Sequence, residues 1–223
     1  MAFTLGAHIH ACIDADVPIF LDLAADRYFR LKPDAEAAFR RLATNEAPQA
    51  EDPARLAELV TMGILRDIGM RPSETFDLLT PPPPLDDELS GDARPPLHIL
   101  AGIVFSRLRI RLAQQRAMRL LLDLDVARNA GPPPARQDEA GRKLAAEMVG
   151  GLAHSDMIMA PAGRCLERAL ALVGHLRRVG ERADLVLGIT ARPFSAHCWV
   201  QQGPLLLGDR IERVSTFTPI AVL

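Results

Sequence analysis

Cysteine is scarce in this sequence and no long uninterrupted apolar run occurs, and both shortages narrow what the chain can be. Its 223 residues include only Cys12, Cys165 and Cys198. An odd, sparse set of this kind does not build a disulfide framework, so a reducing compartment, the cytoplasm, is expected. There is no CxxC or HxxxH pair, so metal ligation by Cys198, His197 and His175 has no supporting pattern, and neither a metal nor another cofactor is expected. The opening Met-Ala-Phe-Thr-Leu-Gly-Ala-His has no basic region and is soon followed by Asp14 and Asp16, so it does not read as a targeting segment. The longest apolar stretch, Leu97 to Phe105, contains His98 and is too short to span a bilayer. No P-loop and no glycine-rich turn after a strand is present, which leaves no nucleotide site. A formal net charge of −2 argues against a dedicated nucleic-acid binder.

What remains is an ordinary globular balance, 48% hydrophobic and 24% charged, in a length that suits one domain or two small ones. The charge is unevenly spread. Residues 1–79 carry 8 basic and 13 acidic groups, whereas residues 98–223 carry 17 and 11. Two parts of opposite sign suit docking to each other or to different parts of one partner. Between them, Thr80 to Pro96 holds Pro81–Pro84, Asp86, Asp87, Glu88, Asp92, Pro95 and Pro96. Prolines fix φ and the acids stay solvated, so residues 80–96 read as a semi-rigid linker between a domain over 1–79 and one over 97–223.

In the first domain, Ile9, Ala11 and Ile13, then Ile19, Leu21 and Leu23, alternate with other residues around a turn at Asp14-Ala15-Asp16. A third strand is expected over Arg27–Leu31. A helix follows from Pro33 to about Ala43, burying Ala37, Ala38 and Leu42. A second helix has Asp52 as N-cap and Pro53 at its first position, and Ile64–Arg66 reads as a short wing-like strand. The second domain starts helical, with Leu97–Arg128 long or broken, then Gln137–Val149, then Gly163–Val179 with Gly180 as its stop. The period then changes from helical to two over Ala183–Thr190, Ala196–Gln201 and Leu205–Ile211. The fold class is therefore α+β, with an antiparallel sheet.

Cys165 lies at the start of the third of these helices, where unpaired backbone N–H groups and the helix dipole favour a thiolate. A lone helical cysteine is most often a small buried hydrophobe, so it needs partners. A three-residue turn, Gln202-Gly203-Pro204, would pair Gln201 with Leu205, Trp199 with Leu207 and His197 with Asp209, within reach of an imidazole–carboxylate hydrogen bond. A two-residue turn would put Gly208 opposite His197 instead. Alternation sends Cys198 to the other strand face, away from His197. Arg107, Arg109, Arg111, Arg116 and Arg119 read as a solvated or docking face of one helix.

Pro161-Ala162-Gly163-Arg164-Cys165-Leu166-Glu167-Arg168-Ala169-Leu170, the strand Leu185 to Ile189, Ala196-His197-Cys198-Trp199-Val200, Gly208-Asp209 and the closing Phe217–Leu223 together resemble the lasso-peptide B-protein protease, a branch of the transglutaminase-like cysteine peptidases. The resemblance implies a Cys165, His197, Asp209 triad on a transglutaminase-like or papain-like domain. Cys198 departs from it, since a small residue such as Ala is usual there. Phe20-Leu21-Asp22-Leu23 and Asp26-Arg27-Tyr28-Phe29-Arg30-Leu31 resemble the precursor-recognition element of ribosomally made, modified peptides. That resemblance implies a winged-helix-like β-meander that takes a leader peptide as an added strand, with Tyr28, Phe29, Arg30 and, from the helix around them, Leu56 and Val60 as contacts.

The expected function is hydrolysis of the leader–core amide bond of a precursor peptide. The freed core would pass to an ATP-dependent, asparagine-synthetase-like lasso cyclase. Two other functions share these residues: acyl transfer to an amine, as in true transglutaminases, and leader binding by a non-catalytic chaperone.

Overall fold

A computed structural model describes residues 2–69, 76, 78–79, 81–112, 119–124, 139–159 and 165–223. The chain forms two compact units, Met1–Thr80 with Ala191–Pro193, and Pro81–Thr190 with Phe194–Leu223.

In the first unit Ala15 and Asp16 both take left-handed backbone, φ 46° and 65°, the geometry of a two-residue hairpin turn that matches strand twist. It joins β2 (Ile9–Asp14) to β3 (Val17–Asp22), which pairs in turn with β4 (Arg27–Phe29) as an antiparallel meander. The segment Ala2–Leu5, which sequence patterning leaves unassigned, forms β1 and pairs antiparallel with β5 (Leu65–Gly69). Helices α1 (Pro33–Ala43) and α2 (Asp52–Thr61) each carry proline in the first turn, where its missing N–H costs nothing. Glu51, not Asp52, occupies the N-cap of α2.

The core of this unit is aromatic. Phe20 stacks on Phe29 at 5.2 Å between ring centroids and meets Phe39 edge-on at 4.7 Å. Two expectations change as a result. The helix α1 buries Ala38 and Phe39, with Ala37 and Leu42 only half-buried. Strand β3 is buried on both faces, so alternation cannot say which set faces the helices, and Phe20 does. Asp52 is used as an anchor: Arg41 donates to both its oxygens, at 2.5 and 2.8 Å, and the Gln49 N–H donates at 2.8 Å.

The second unit is a five-stranded mixed sheet in the order β10-β7-β8-β9-β6, with β6 Asp87–Leu89, β7 Asp184–Ala191, β8 Phe194–Gln202, β9 Leu205–Leu207 and β10 Thr218–Val222. The expected all-antiparallel sheet is corrected by β6, which pairs parallel with β9 through Asp87↔Leu205 and Leu89↔Leu207. This strand comes from the acidic proline-rich stretch. Backbone already held extended by proline needs little further ordering to add to a sheet edge, so part of the expected linker is built into the second unit.

Helix α3 (Leu97–Leu112) packs on α4 (Glu139–Ile158) and α5 (Cys165–Arg178), and α5 lies against β8. Leu170, Leu172 and Leu176 of α5 are buried, each contributing roughly 1.5–3 kcal/mol. Residues 119–124 are also helical. The expected path of the first long helix between these pieces, its stop at Asn129-Ala130-Gly131, and the segment Pro161–Arg164 lie outside the described residues. Helix α4 runs nine residues past its expected end at Val149, because Gly150 and Gly151 serve close packing. A Cβ on Gly150 would stand 2.0 Å from the Ala93 carbonyl oxygen, and one on Gly151 would meet Ile103 at 2.8 Å. A short helix α6 (Ile211–Val214) and β10 complete the unit. Among the described residues no helix is long and apolar enough to cross a membrane.

The Arg41 pair and the Gln49 N–H hold the Asp52 carboxyl down to about 2, from an ordinary 3.8. A depressed carboxyl stabilises the fold above its unfolded value and loses that contribution as pH falls through the folded value. The first unit should therefore lose stability between about pH 4 and about pH 2. Urea midpoints followed through Tyr28, the single tyrosine, should show that Asp52→Asn flattens this acid-side loss while lowering the midpoint at neutral pH.

Candidate active site

Cys165 is the first described residue of α5, so its side chain stands near the positive end of the helix dipole. It is half-buried. His197 comes from β8 and is 6% exposed. Its Nε2 lies 2.6 Å from Asp209 Oδ2, and its ring packs between Trp199 (6.5 Å between centroids) and Phe217 (5.2 Å). The Cys165 thiol meets the His197 imidazole. With Nε2 engaged by Asp209, Nδ1 is the nitrogen left for sulfur. Cys165, His197 and Asp209 line one small cleft together with Cys198, Trp199 and Gly208.

The hairpin register that suggested the His197–Asp209 pair differs from the observed one. Val200 pairs with Leu207, Gln201 with Leu206 and Gln202 with Leu205, around a two-residue turn of Gly203 (φ 59°) and Pro204. Strand β9 ends at Leu207, and Gly208 then turns at φ 70°. That break in the ladder, and not a cross-strand pairing, brings the Asp209 carboxylate to His197. Glycine suits the position because its left-handed backbone is strained for other residues.

Strand β6 holds this turn in place. The Gly208 N–H donates to the Leu89 carbonyl at 3.2 Å. The Ile211 N–H, at the start of α6, donates to Glu88 Oε2 at 2.7 Å. Asp209 Oδ1 accepts the Arg210 N–H at 2.9 Å. The acidic residues expected to be a solvated tether thus brace the carboxylate that faces His197. Sequence reading missed them because Asp86-Asp87-Glu88 between prolines gives no strand pattern.

A second brace involves arginines expected on a solvated or docking face. Arg107 is wholly buried. Its Nε donates to Glu167 Oε1 at 2.9 Å, and its Nη1 to Ser155 Oγ at 2.6 Å and to Asp156 Oδ1 at 2.7 Å. Arg111 also donates to Glu167, and Arg168 pairs with Asp156 at 3.0 Å. Arg109 sits over the Phe105 ring, and Arg119 is exposed. Glu167 and Arg168 belong to the first turn of α5, so the network ties the helix end that carries Cys165 to α3 and α4.

The electrostatics make the thiol–imidazole pair an ion pair. The Cys165 thiol falls from an ordinary 9.0 to about 4, through a hydrogen bond from Cys198, against the opposing effect of burial, and with further help from His197. Burial disfavours charge on His197, yet its bonds to Asp209 and Cys165 raise it to about 9. Cys198 is buried as expected, but it does not stand clear of the site: its thiol contacts that of Cys165. Strand alternation fixes which way a side chain leaves the sheet, not its distance from a helix end that abuts the strand.

The residues expected to contact a leader lie in the first unit. Tyr28 is half-buried on β4 opposite Leu21, and Arg30 is exposed and paired with Glu36 at 3.1 Å. Phe29 stacks on Phe20, Leu56 is 8% exposed in the core, and Val60 packs half-buried beside it. Among the described residues no group of His, Cys, Asp and Glu is placed to hold a metal ion.

Comparison with known families reaches the same part of the chain. The profile described as transglutaminase-like superfamily matches residues 103–222, more than half of the chain. The chain belongs to the transglutaminase-like superfamily. The match takes in Cys165, His197 and Asp209 but stops short of β6, so one brace of the Asp209 turn lies outside the family's common part. No curated protein and no solved structure matches the chain. A transglutaminase-like domain is consistent with cysteine-protease-like or acyl-transfer chemistry.

Iodoacetamide alkylation of Cys165 should reach half its maximal rate near pH 4, and His197→Ala should move that midpoint up towards the ordinary thiol range. The His197 ring, followed by NMR, should titrate near 9. Asp209→Asn should lower that value, and Glu88→Ala, which touches neither ring nor sulfur, should lower it part of the way. An unchanged His197 titration in Glu88→Ala would show that the Glu88 bond to the Ile211 N–H does not brace Asp209.

Proposed function

We propose that this transglutaminase-like chain is a leader peptidase of lasso-peptide maturation, acting in the cytoplasm on a ribosomally made precursor. The observation that carries the reading is His197 held charged between the Cys165 sulfur and the Asp209 carboxylate. The Cys165 thiolate attacks the carbonyl of the leader–core bond, and the N–H groups at the start of α5 stabilise the oxyanion that forms. His197 gives its Nδ1 proton to the leaving amine of the core, and the C–N bond breaks. The neutral ring then accepts a proton from water, which attacks the thioester and releases the leader as a carboxylate. Asp209 holds the ring in the tautomer both steps need.

The first unit, in this reading, is a winged-helix-like recognition domain. Strand β4 is an edge strand, and an extended leader gains ladder hydrogen bonds along it. Tyr28 is on that strand, and Arg30 follows it into an open cleft lined also by Leu31, Pro33, Glu36 and Arg40. Phe29, Leu56 and Val60 support it from the core side. The released core passes to an ATP-dependent, asparagine-synthetase-like cyclase, which joins its new amine to an Asp or Glu side chain.

Mixing the purified chain with its precursor should yield two fragments whose masses sum to precursor plus water. Asp209→Ala should lower the rate roughly 10²–10⁴-fold, and Cys165→Ala should bind leader normally without cutting. Full processing by Cys165→Ala would make the chain a non-catalytic chaperone, and a precursor joined to an added amine would make it an acyl transferase. Tyr28→Ala should weaken leader binding about 10-fold while leaving Cys165 alkylation unchanged.

A further inference from the structure

Within the cleft, Cys198 is a thiol that the proposed reaction does not use. It stands beside His197 on β8, 4% exposed, and lines the same cleft as Cys165. Neither cysteine is in a disulfide, yet their side chains are in hydrogen-bonding contact, with the Cys198 thiol donating to the Cys165 sulfur. The third cysteine, Cys12, is in β2 of the other unit. Two sulfurs in contact, one at the solvent side of a cleft and one behind it, form the arrangement in which an oxidised thiol meets a resolving partner.

We propose that Cys165 and Cys198 form a reversible disulfide that switches the nucleophile off when the protein meets a peroxide. The inference goes beyond hydrolysis but rests on the same reading of Cys165 as the reactive thiolate. In the first step the Cys165 thiolate attacks one oxygen of the peroxide, and the O–O bond breaks. With hydrogen peroxide the departing hydroxide takes up a proton as water, and Cys165 becomes a sulfenic acid. In the second step the Cys198 sulfur attacks the Cys165 sulfur. The S–O bond breaks, and the hydroxide that leaves takes the Cys198 proton as a second water. Two thiols and one peroxide thus give one disulfide and two waters. A dithiol such as dithiothreitol returns both thiols by exchange, itself ending as a cyclic disulfide.

Accessibility sets the order of events. Cys165 is half-exposed and is the sulfur a peroxide reaches, whereas Cys198 is shielded. Thiolate character and exposure together decide which sulfur is oxidised. The contact that most strongly keeps Cys198 protonated is its bond to the Cys165 thiolate. Oxidation of Cys165 to a neutral sulfenic acid removes that restraint just when Cys198 must become the attacking sulfur. Without a resolving thiol, a sulfenic acid at this position proceeds to the sulfinic acid, which a dithiol does not reduce.

The test uses the full chain, reduced, then treated with hydrogen peroxide, blocked with iodoacetamide and digested by trypsin without reductant. The expected product joins Cys165–Arg168 to Ala183–Arg210 and is two hydrogens lighter than the sum of the separate peptides. Dithiothreitol should separate the pair and restore nearly all Cys165 alkylation. In Cys198→Ala, and in Cys198→Ser as a second variant, the same treatment should leave Cys165 as sulfinic acid with alkylation lost after reduction. Sulfinic acid on Cys165 of the unmodified protein, with Cys198 alkylated, would overturn the proposal, as would a link to Cys12. The readout is independent of peptidase activity. Precursor cutting without the joined peptide would sink the switch alone, and the joined peptide without cutting would sink the peptidase reading alone.

Discussion

A single positive charge, on His197, is the constraint on which the second unit's chemistry depends. An imidazole that is 6% exposed would ordinarily be neutral, because burial penalises the charged form. Here it lies between two anions, the Asp209 carboxylate on Nε2 and the Cys165 thiolate on the other side. Each anion stabilises the cation, and the cation stabilises each anion, so the three groups ionise as a set. Losing either neighbour leaves a buried charge short of a partner, which is the expensive condition for an ion in a protein interior. A neutral histidine would still accept a proton, but it could not both hold a thiolate at acid pH and protonate a leaving amine.

Such a set is useful only if its members arrive at fixed positions, and the two braces supply this from opposite directions. The Arg107 network fixes the first turn of α5 by tying Glu167 and Arg168 to α3 and α4. Strand β6 fixes the turn after Gly208 through Leu89 and Glu88. Arg107 meets three acceptors with no solvent exposure, so it has little freedom to move, and Glu167 is shared with Arg111. Polar groups buried this deeply stabilise weakly for their number but penalise misplacement heavily. They specify where Cys165 stands more than they stabilise the domain.

Much of this was legible in the order of residues, and the failures follow a physical pattern. Helix starts at Pro33 and near Asp52, the meander, and the change of period after Gly180 were readable because each rests on local backbone preference. The pairing of His197 with Asp209 was found through a register that the hairpin does not have: Gly203-Pro204 turns in two residues, and Gly208 supplies the bend that restores the contact. Non-local pairing hid β6, since a parallel edge strand is defined by its neighbour and not by its own sequence. Burial hid Arg107, because an arginine in a helical pattern is usually solvated and only its three partners from other helices make the interior tolerable. The helix expected to end at Val149 continues, and close approach of Ala93 and Ile103 requires glycine at both 150 and 151 inside it. Phe29 and Leu56, read as leader contacts, also pack in or against the core of the first unit.

Cys198 ties the reactivity of the site to its vulnerability. Its hydrogen bond is the largest influence lowering the Cys165 thiol to about 4, so at neutral pH the sulfur is essentially all thiolate. Complete ionisation adds little attacking power once the thiol value lies below ambient pH, because nucleophilicity falls with basicity. It does remove any protonated fraction, which is inert to a carbonyl and to a peroxide alike. A methyl group in place of the Cys198 thiol would leave His197 as the main stabiliser of the thiolate, with a higher thiol value and a more basic, stronger nucleophile. The second thiol therefore adds little to the attack itself, on either electrophile. It makes sense where the sulfur at the helix start must be both ready to react and recoverable after oxidation, since one neighbour then sets its ionisation and supplies the atom that rescues it.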